Sequence, residues 1–144
     1  VINFYVAPLV ALAKQINTDS MEETHSLLCT SYGLGSFMAG QIVADLRWAM
    51  NGRWLDRNTW APVGPGSKRG MNRLLELDIN SSMKQHDFNV QLLQLIEKCN
   101  DSLPQTISDR MEAMDYQNCL CEYDKHERTL FDDRHPKQRY PGAA

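Results

Sequence analysis

The chain has 144 residues, of which 42% are hydrophobic and 23% charged, and its formal net charge is −3 at pH 7. This composition is that of an ordinary soluble globular protein, and the length leaves too little chain for two hydrophobic cores. No apolar run approaches the roughly 18 residues of a membrane span, so we expect no membrane partner.

The N-terminal segment is apolar but does not have the form of a signal peptide. Its first residues, VINFYVAPLVALAK, have no basic start, and Pro8 interrupts them. Because the chain begins without Met and directly in an apolar segment, we expect it to lack its native N-terminus. We expect residues 1–130 to form one helical domain and residues 131–144 an extended, mobile or clamped tail.

Hydrophobic periodicity predicts an all-helical domain, because no run alternates in the way that a strand requires. Ser20 and Glu23 form the capping-box pattern that opens a helix. Asp87 is a candidate cap for the next long apolar stripe, and Asp101 and Pro104 stop and restart the chain after it. The predicted helices span residues 7–16, 20–32, 36–50, 67–77, 85–100, 104–113 and 115–129.

The four cysteines do not have the spacing of a metal site. Cys29, Cys99, Cys119 and Cys121 form neither a paired C-x-x-C pattern nor a four-cysteine cluster. Cys119 and Cys121 are two apart on a predicted helix, so their side chains point away from each other. We therefore expect reduced, buried thiols, with no metal and no cofactor.

Basic residues are concentrated in the middle of this acidic chain. Between residues 47 and 73 a single acid, Asp56, stands among six basic side chains. They are Arg47, Arg53, Arg57, Lys68, Arg69 and Arg73. A local basic stripe predicts a DNA footprint confined to one face.

The segment from Ser31 to Leu46 predicts two helices joined by a tight turn. Gly33 and Gly35 can adopt a positive φ or admit another backbone. The amide groups of the turn and of Ser36, at the start of the second helix, would form an anion site for a phosphate. A purely structural hairpin remains the alternative, because a bare G-x-G also makes any short turn between helices.

The segment G-P-G-S-K-R-G, residues 64–70, predicts a second phosphate-binding loop. Gly66 allows a backbone to approach, while Ser67, Lys68 and Arg69 supply donors at a helix start. The spacing of a Walker motif is absent, and a Pro/Gly turn with solvated basic residues is the alternative. The residues predicted to bind phosphate or DNA are Gly33, Gly35, Ser36, Gly66, Ser67, Lys68, Arg69, Asn72 and Arg73.

The hairpin and the loop together resemble helix-hairpin-helix DNA glycosylases, which carry L-P-G-V-G-x-x-T-A followed by V-D-T-H-V-x-R-V-x-x-R-L. The matching residues are Gly33, Leu34, Gly35, Ala39, Val63, Arg69, Arg73 and Leu74. Gly64 stands where those enzymes have the catalytic aspartate that stabilises positive charge on the sugar. The resemblance implies a glycosylase-like helical fold that does not excise bases.

The segment from Asp115 to Arg128 predicts a polar helix with a narrow apolar stripe. Asn118, Glu122 and Lys125 fall at i, i+4 and i+7 on one face, with Asp124 and Arg128 nearby. A surface helix with ion pairs, each contributing about 0.3–0.5 kcal/mol, is the alternative.

The loop G-P-G-S-K-R-G-x-N-R-L and the helix D-x-Q-N-C-L-C-E-Y-D-K-x-E-R together resemble the alpha-glutamyl/putrescinyl thymine pyrophosphorylase family, over roughly residues 20–130. That family consists of glycosylase-fold proteins, largely from bacteriophages, implicated in thymine hypermodification. The resemblance implies double-stranded DNA containing modified thymine as a partner, an amine or amino acid as co-substrate, and the host cytoplasm as location.

The family pathway implies a reaction in which an amine or amino acid displaces the phosphate or pyrophosphate on 5-hydroxymethyluracil in DNA. The base must leave the stack, and Glu122 or Asp124 would take the proton of the amine. Lys125 and Arg128 would hold the leaving group or a carboxylate of the nucleophile. The catalytic residues implied are Asn118, Glu122, Asp124, Lys125 and Arg128. A DNA-binding module without activity and a true glycosylase with a displaced acid are the two alternative functions.

Overall fold

A computed structural model describes residues 10–16, 19–49 and 54–131, and these residues are helical with connecting turns and contain no strand. Residues 10–13 are helical. The further helices are α1 (Met21–Cys29), α2 (Ser36–Ala49), α3 (Pro65–Leu74), α4 (Gln85–Asn100), α5 (Gln105–Ser108) and α6 (Ala113–Phe131). The prediction of an all-α fold is therefore confirmed.

The predicted helix boundaries are correct for α4 and wrong at several other ends. Lys84 takes the N-cap position of α4, so Asp87 is not its cap. The helix predicted over residues 20–32 already ends at Cys29, where the Thr30 hydroxyl donates to the Leu27 carbonyl at 2.7 Å. The helix predicted over residues 104–113 is only the short α5, and α6 begins at Ala113.

Helix α3 begins and ends earlier than predicted. Gly64 is its N-cap in extended conformation, and Pro65 occupies the first helical position, where its missing N–H has no consequence. At the other end Leu75 is the C-cap, and Glu76 has a φ of 54°. This left-handed residue reverses the chain, so the helix cannot continue to residue 77.

The N-terminus of α1 is capped by two residues. The Ser20 hydroxyl accepts from the Glu23 amide at 3.2 Å, as the capping pattern predicts. Asp56 adds a second cap, because its carboxylate accepts from the amides of Met21 and Glu22 at 2.8 and 3.1 Å. The acid that interrupts the basic stretch of the sequence is therefore used to hold α1 in place.

The core lies between α3, α4 and α6, with α1 and α2 packed beside it. Fully or almost fully buried apolar side chains from all five helices contribute to it, among them Met21, Val43, Met71, Phe88, Leu92 and Leu120. The α3–α6 crossing is the closest, because a Cβ on Gly70 would lie 2.2 Å from the carbonyl oxygen of Leu120. These two helices carry most of the residues predicted to be functional.

None of the helices in the three described ranges combines the length and the apolar composition that crossing a membrane requires. The predicted tail lies almost wholly outside the described residues, apart from Phe131 at the end of α6. Arg53 of the basic stretch, residues 7–9 of the first predicted helix and residue 50 of the third also lie outside them.

Candidate functional site

One buried carboxylate on α6 binds three arginines. Asp124 has no solvent exposure; its Oδ2 accepts from Nε of Arg69 at 2.9 Å and forms an ion pair with Nη2 at 2.8 Å. Nε of Arg73 donates to Oδ1 at 3.2 Å, and Nε of Arg128 lies 3.3 Å from Oδ2. We call Asp124 with these three residues the arginine cluster. It joins α3 to α6 and places three positive charges around one negative charge.

The arginines of the cluster retain contact with solvent although their shared partner does not. The side chains of Arg69 and Arg128 are 27% and 33% exposed, and that of Arg73 is 13% exposed. Asp124 holds these guanidinium groups from the inner side. Partly exposed guanidinium groups held in position by a buried carboxylate form an arrangement that suits phosphate binding.

Asp124 was one of two predicted bases, and its surroundings favour Glu122 instead. Both oxygens of Asp124 face guanidinium groups, and the side chain is completely buried. A base must reach the proton that it removes, directly or through one water. Glu122 is exposed, and Lys125 donates to its carboxylate on the same surface of α6. Asn118 is also exposed, one turn before Glu122.

The side chains of two residues predicted to bind phosphate make hydrogen bonds inside the protein. The Ser67 hydroxyl is buried, accepts from the amides of Gly64 and Gln117 at 3.0 and 3.1 Å, and donates to the Gly64 carbonyl. Asn72 is also buried, and its amide group donates to the carbonyls of Ile79 and Ser81. Both side chains hold turns in place, and we assign neither of them to a phosphate.

The start of α3 faces α6 rather than solvent. A Cβ on Gly66 would lie 3.2 Å from Sγ of Cys121, so this glycine serves the approach of the two helices. Burial raises the pKa of the Cys121 thiol, although hydrogen bonds from Ser67 and the charge of Lys125 lower it in part. The thiol therefore stays protonated at neutral pH. Of the side chains predicted as donors in the loop, that of Lys68 alone makes no hydrogen bond or ion pair with described residues.

The hairpin turn uses one of its two glycines as predicted. Gly33 has a φ of 84°, and Leu34 packs partly against the core. Gly35 has no positive φ, and a Cβ there would meet nothing within 4 Å, so neither predicted reason for this glycine applies. Ser36 lies at the start of α2, where His25 Nε2 is 3.0 Å from its carbonyl oxygen and 3.2 Å from its hydroxyl.

A cleft brings the hairpin, the loop and α6 together. Its lining includes Ser36, Phe37 and Gln41 from α2, Gly64 and Gly66 from the loop, and Gln117, Asn118 and Cys121 from α6. We call it the hairpin cleft. Arg69 follows Gly66 by three residues and Asp124 follows Cys121 by three, so the arginine cluster lies one helical turn further along both helices. Three segments that the sequence singled out separately therefore form one site.

A larger cleft, with a volume of about 290 Å³, lies beside the turn between α5 and α6. Its charged side chains are balanced, with Arg57 and Arg110 opposite Asp109 and Glu112. None of the predicted site residues lines it. We therefore place the candidate site at the hairpin cleft and the arginine cluster.

The described arginines of the basic stretch divide between two sets of acidic partners. Arg47 is nearly buried and pairs with Asp115 at 3.0 Å and with Glu112 at 3.5 Å. Arg57 lies 3.7 Å from Glu112. These two arginines are held by acids of the segment from residue 112 to residue 115, separate from the acid of the arginine cluster. The basic residues that serve the candidate site are therefore Lys68, Arg69 and Arg73.

Sequence reasoning missed that Asp124 binds three arginines and that Phe37 and Gln41 line the cleft. A signal for the first was present, since Arg69 and Arg73 are four apart on α3 and Asp124 and Arg128 are four apart on α6. No local pattern marks the cleft residues. Nowhere in the described part of the chain do three or more His, Cys, Asp or Glu side chains gather into a group suited to hold a metal ion.

Comparison with known families gives one match. The family model for the helical domain of 5-hmdU DNA kinase matches residues 8–135, which is most of the chain. No curated protein and no solved structure matches. The matched description concerns the same modified base, 5-hydroxymethyluracil, as the resemblance found in the sequence, but it names a kinase and not a thymine pyrophosphorylase.

Proposed function

The chain belongs to the family of the 5-hmdU DNA kinase helical domain, and from this membership we propose that it binds DNA and takes part in phosphorylating the 5-hydroxymethyl group of 5-hydroxymethyluracil. The observation that carries the proposal is the arginine cluster. A fully buried carboxylate holds three arginines beside a cleft, and the side chains of Arg69 and Arg128 keep 27% and 33% of their surface in solvent. Phosphate is the anion that both DNA and a phosphoryl donor bring to such a site.

The arginine cluster has guanidinium N–H groups that make no hydrogen bond with described residues. Arg69 uses Nε and Nη2 on Asp124, and its Nη1 makes no hydrogen bond with described residues. Nε of Arg128 lies 3.3 Å from Oδ2 of Asp124 without making a hydrogen bond, and its Nη groups make none with described residues. Because guanidinium groups fixed in this way need no reorganisation when an anion arrives, they suit a phosphate whose charge is shifting during transfer.

The reaction needs a group that takes the proton of the hydroxymethyl oxygen. That oxygen would attack the terminal phosphorus of a nucleoside triphosphate, whose bond to the departing nucleoside diphosphate breaks. We assign the proton to Glu122, because it is exposed, and the role of orienting the substrate to Asn118 and Lys125 on the same helix. Asp124 positions the arginines and takes no proton.

A second candidate function is the substitution reaction implied by the sequence resemblance, in which an amine displaces a phosphate or pyrophosphate from the 5-methylene carbon. The exposed pair of Glu122 and Lys125 favours it, because a carboxylate beside an ammonium group can deprotonate an amine and hold an anionic leaving group. Base excision is disfavoured, since Gly64 has no carboxylate to offer.

Two incubations separate these reactions. The first contains duplex DNA with 5-hydroxymethyluracil and γ-labelled ATP, and the second contains DNA with the pyrophosphorylated base and a panel of amines and amino acids. Digested nucleosides are identified by mass spectrometry. We expect a phosphate adduct in the first, at least tenfold less with Glu122→Gln, and unchanged with Glu97→Gln, which removes an exposed carboxylate on α4.

Other results of the same assay point to other functions. An amine adduct in the second incubation alone would establish substitution instead of phosphorylation. Abasic sites in either would show a glycosylase. Unchanged nucleosides alongside DNA binding would leave a binding module and contradict the catalytic part of the proposal.

DNA affinity is expected to depend on Lys68. This side chain lies beside the arginine cluster and has no partner among described residues, so Lys68→Ala removes a phosphate contact without disturbing the fold. We expect binding to weaken several-fold for all sequences, and the slope of log affinity against log salt to become shallower by about 0.9. Fluorescence anisotropy at several salt concentrations measures both. Lys98→Ala, on α4, is the matched control, and an equal effect of the two variants would argue against this DNA-binding face.

A further inference from the structure

Gln117 is a buried side chain with one unused hydrogen-bonding atom. It is 7% exposed and lines the hairpin cleft. Its Nε2 donates to the Ser67 hydroxyl at 3.1 Å, and its Oε1 makes no hydrogen bond with described residues. The oxygen itself is not fully buried, so it can meet water or a ligand in the cleft.

The Ser67 hydroxyl contacts this amide and the backbone of Gly64. The hydroxyl oxygen accepts from the Gly64 amide at 3.0 Å and lies 3.2 Å from the Gly64 carbonyl oxygen. With Nε2 of Gln117 donating to the same hydroxyl, Oε1 is the amide atom available to the cleft. In this arrangement the cleft contains a hydrogen-bond acceptor.

The rest of the cleft has the chemistry of a flat, partly apolar ligand. Phe37 lines it with 58% of its surface exposed, so its ring is accessible for stacking with a ligand. Pro62, Val63 and Met114 add further apolar surface. Gln41 and Asn118 are exposed carboxamides at the same cleft, with no hydrogen bond to described residues.

We infer that the hairpin cleft receives a uracil-type base turned out of the DNA stack, with Phe37 stacking on its face and Gln117 Oε1 accepting its N3–H. The inference rests on the proposed function in one respect, that the chain acts on a base in DNA. The imide edge of such a base presents an N–H donor between two carbonyl acceptors, which carboxamides complement. The N3 of cytosine carries no proton, so with the amide in this orientation it would face Oε1 with a lone pair.

The inference predicts that Phe37→Ala reduces base extrusion without removing DNA binding. Permanganate oxidises the 5,6 double bond of a pyrimidine only when the base is unstacked, so it reports extrusion at a single 5-hydroxymethyluracil in a duplex. We expect the wild-type protein to make this base hyperreactive and Phe37→Ala to lower the effect by a factor of roughly five to one hundred. Phe131→Ala removes a phenylalanine that is 72% exposed and does not line the cleft, and we expect it to behave as wild type.

A second measurement tests the cleft without DNA. The free nucleoside 5-hydroxymethyl-2′-deoxyuridine is titrated into ¹⁵N-labelled protein, and the side-chain amide resonances of Gln117, Gln41 and Asn118 are followed. We expect these resonances to shift, and deoxycytidine to shift them at least tenfold less at equal concentration.

The two measurements separate failure of this inference from failure of the proposed function. DNA binding that depends on Lys68, without permanganate hyperreactivity and without nucleoside shifts, would overturn the base pocket and leave the DNA-binding proposal standing. Nucleoside shifts in a protein that binds no DNA would do the reverse. Equal responses of Phe37→Ala and Phe131→Ala would also overturn the inference.

Discussion

Replacing Gly70 by alanine is expected to lower the free energy of unfolding by about 3 kcal/mol, the upper part of the usual range for overpacking. The added Cβ would lie 2.2 Å from the carbonyl oxygen and 2.9 Å from the carbonyl carbon of Leu120. These are backbone atoms inside a helix, so no side chain can rotate away to make room. The α3 and α6 helices would have to separate, which disturbs both the core and the arginine cluster.

Alanine has a higher helix propensity than glycine, by about 1 kcal/mol. This gain opposes the loss from overpacking, so the measured change in stability at Gly70 is the difference between the two. Gly35→Ala is the matched control, because a Cβ there meets nothing within 4 Å and its φ is not positive. Urea unfolding followed by circular dichroism compares the two variants with wild type. Equal midpoints for Gly70→Ala and Gly35→Ala would show that the α3–α6 crossing is not as close as described.

The helical class and the position of the long helices follow from local patterns that the sequence displays directly. Helix α4 agrees with its predicted bounds because its apolar stripe repeats over four turns. Helix α5 was overextended, since its four residues carry no signal that distinguishes a single turn from a longer helix. Where one residue with a special conformation decides the end, as Glu76 does after α3, composition gives no warning.

The site was predictable in its parts but not in its arrangement. The hairpin, the loop and α6 were each identified from the sequence, yet their meeting depends on contacts between distant residues. Arg69 and Asp124 are 55 positions apart, and Ser67 and Gln117 are 50 apart. Whether Ser67 faces a ligand or the protein interior is decided by what packs over α3, and no spacing within residues 64–70 contains that information.

The glycine at position 64 has a use that the comparison with glycosylases did not suggest. A Cβ there would lie 3.3 Å from Nε2 of Gln117 and 3.5 Å from the Ser67 hydroxyl. A longer side chain at residue 64 would therefore crowd the Gln117 amide and the Ser67 hydroxyl to which it donates. In the proposed function the glycosidic bond must survive, and Gly64 offers no carboxylate that would assist its cleavage. The same glycine leaves space at the cleft, which suits the binding of a base there.

Removing the carboxylate of Asp124 is expected to destabilise the protein by about 3 kcal/mol. In Asp124→Ala three arginines would face one another around an empty position without the charge that holds them together. The cost falls at the lower end of the range for breaking a buried ion pair, because Arg69 and Arg128 keep about 30% of their side-chain surface in water and can rehydrate in part. Thermal unfolding measures the loss, and Asp109→Ala, which removes an exposed carboxylate outside the cluster, should leave the midpoint within about 1 °C.

The same variant tests whether the cluster binds oxyanions. Sulfate or phosphate that occupies the vacated position of Asp124 would stabilise the folded state by RT ln(1 + [L]/Kd). An anion concentration ten times Kd therefore raises the free energy of unfolding by about 1.4 kcal/mol. We expect 20 mM sulfate to raise the melting temperature of Asp124→Ala by several degrees more than chloride at equal ionic strength, and to raise that of the wild type less. Identical responses to the two anions would mean that the three arginines repel one another into solvent instead of forming a phosphate site. The DNA contact assigned to α3 would then rest on Lys68 alone.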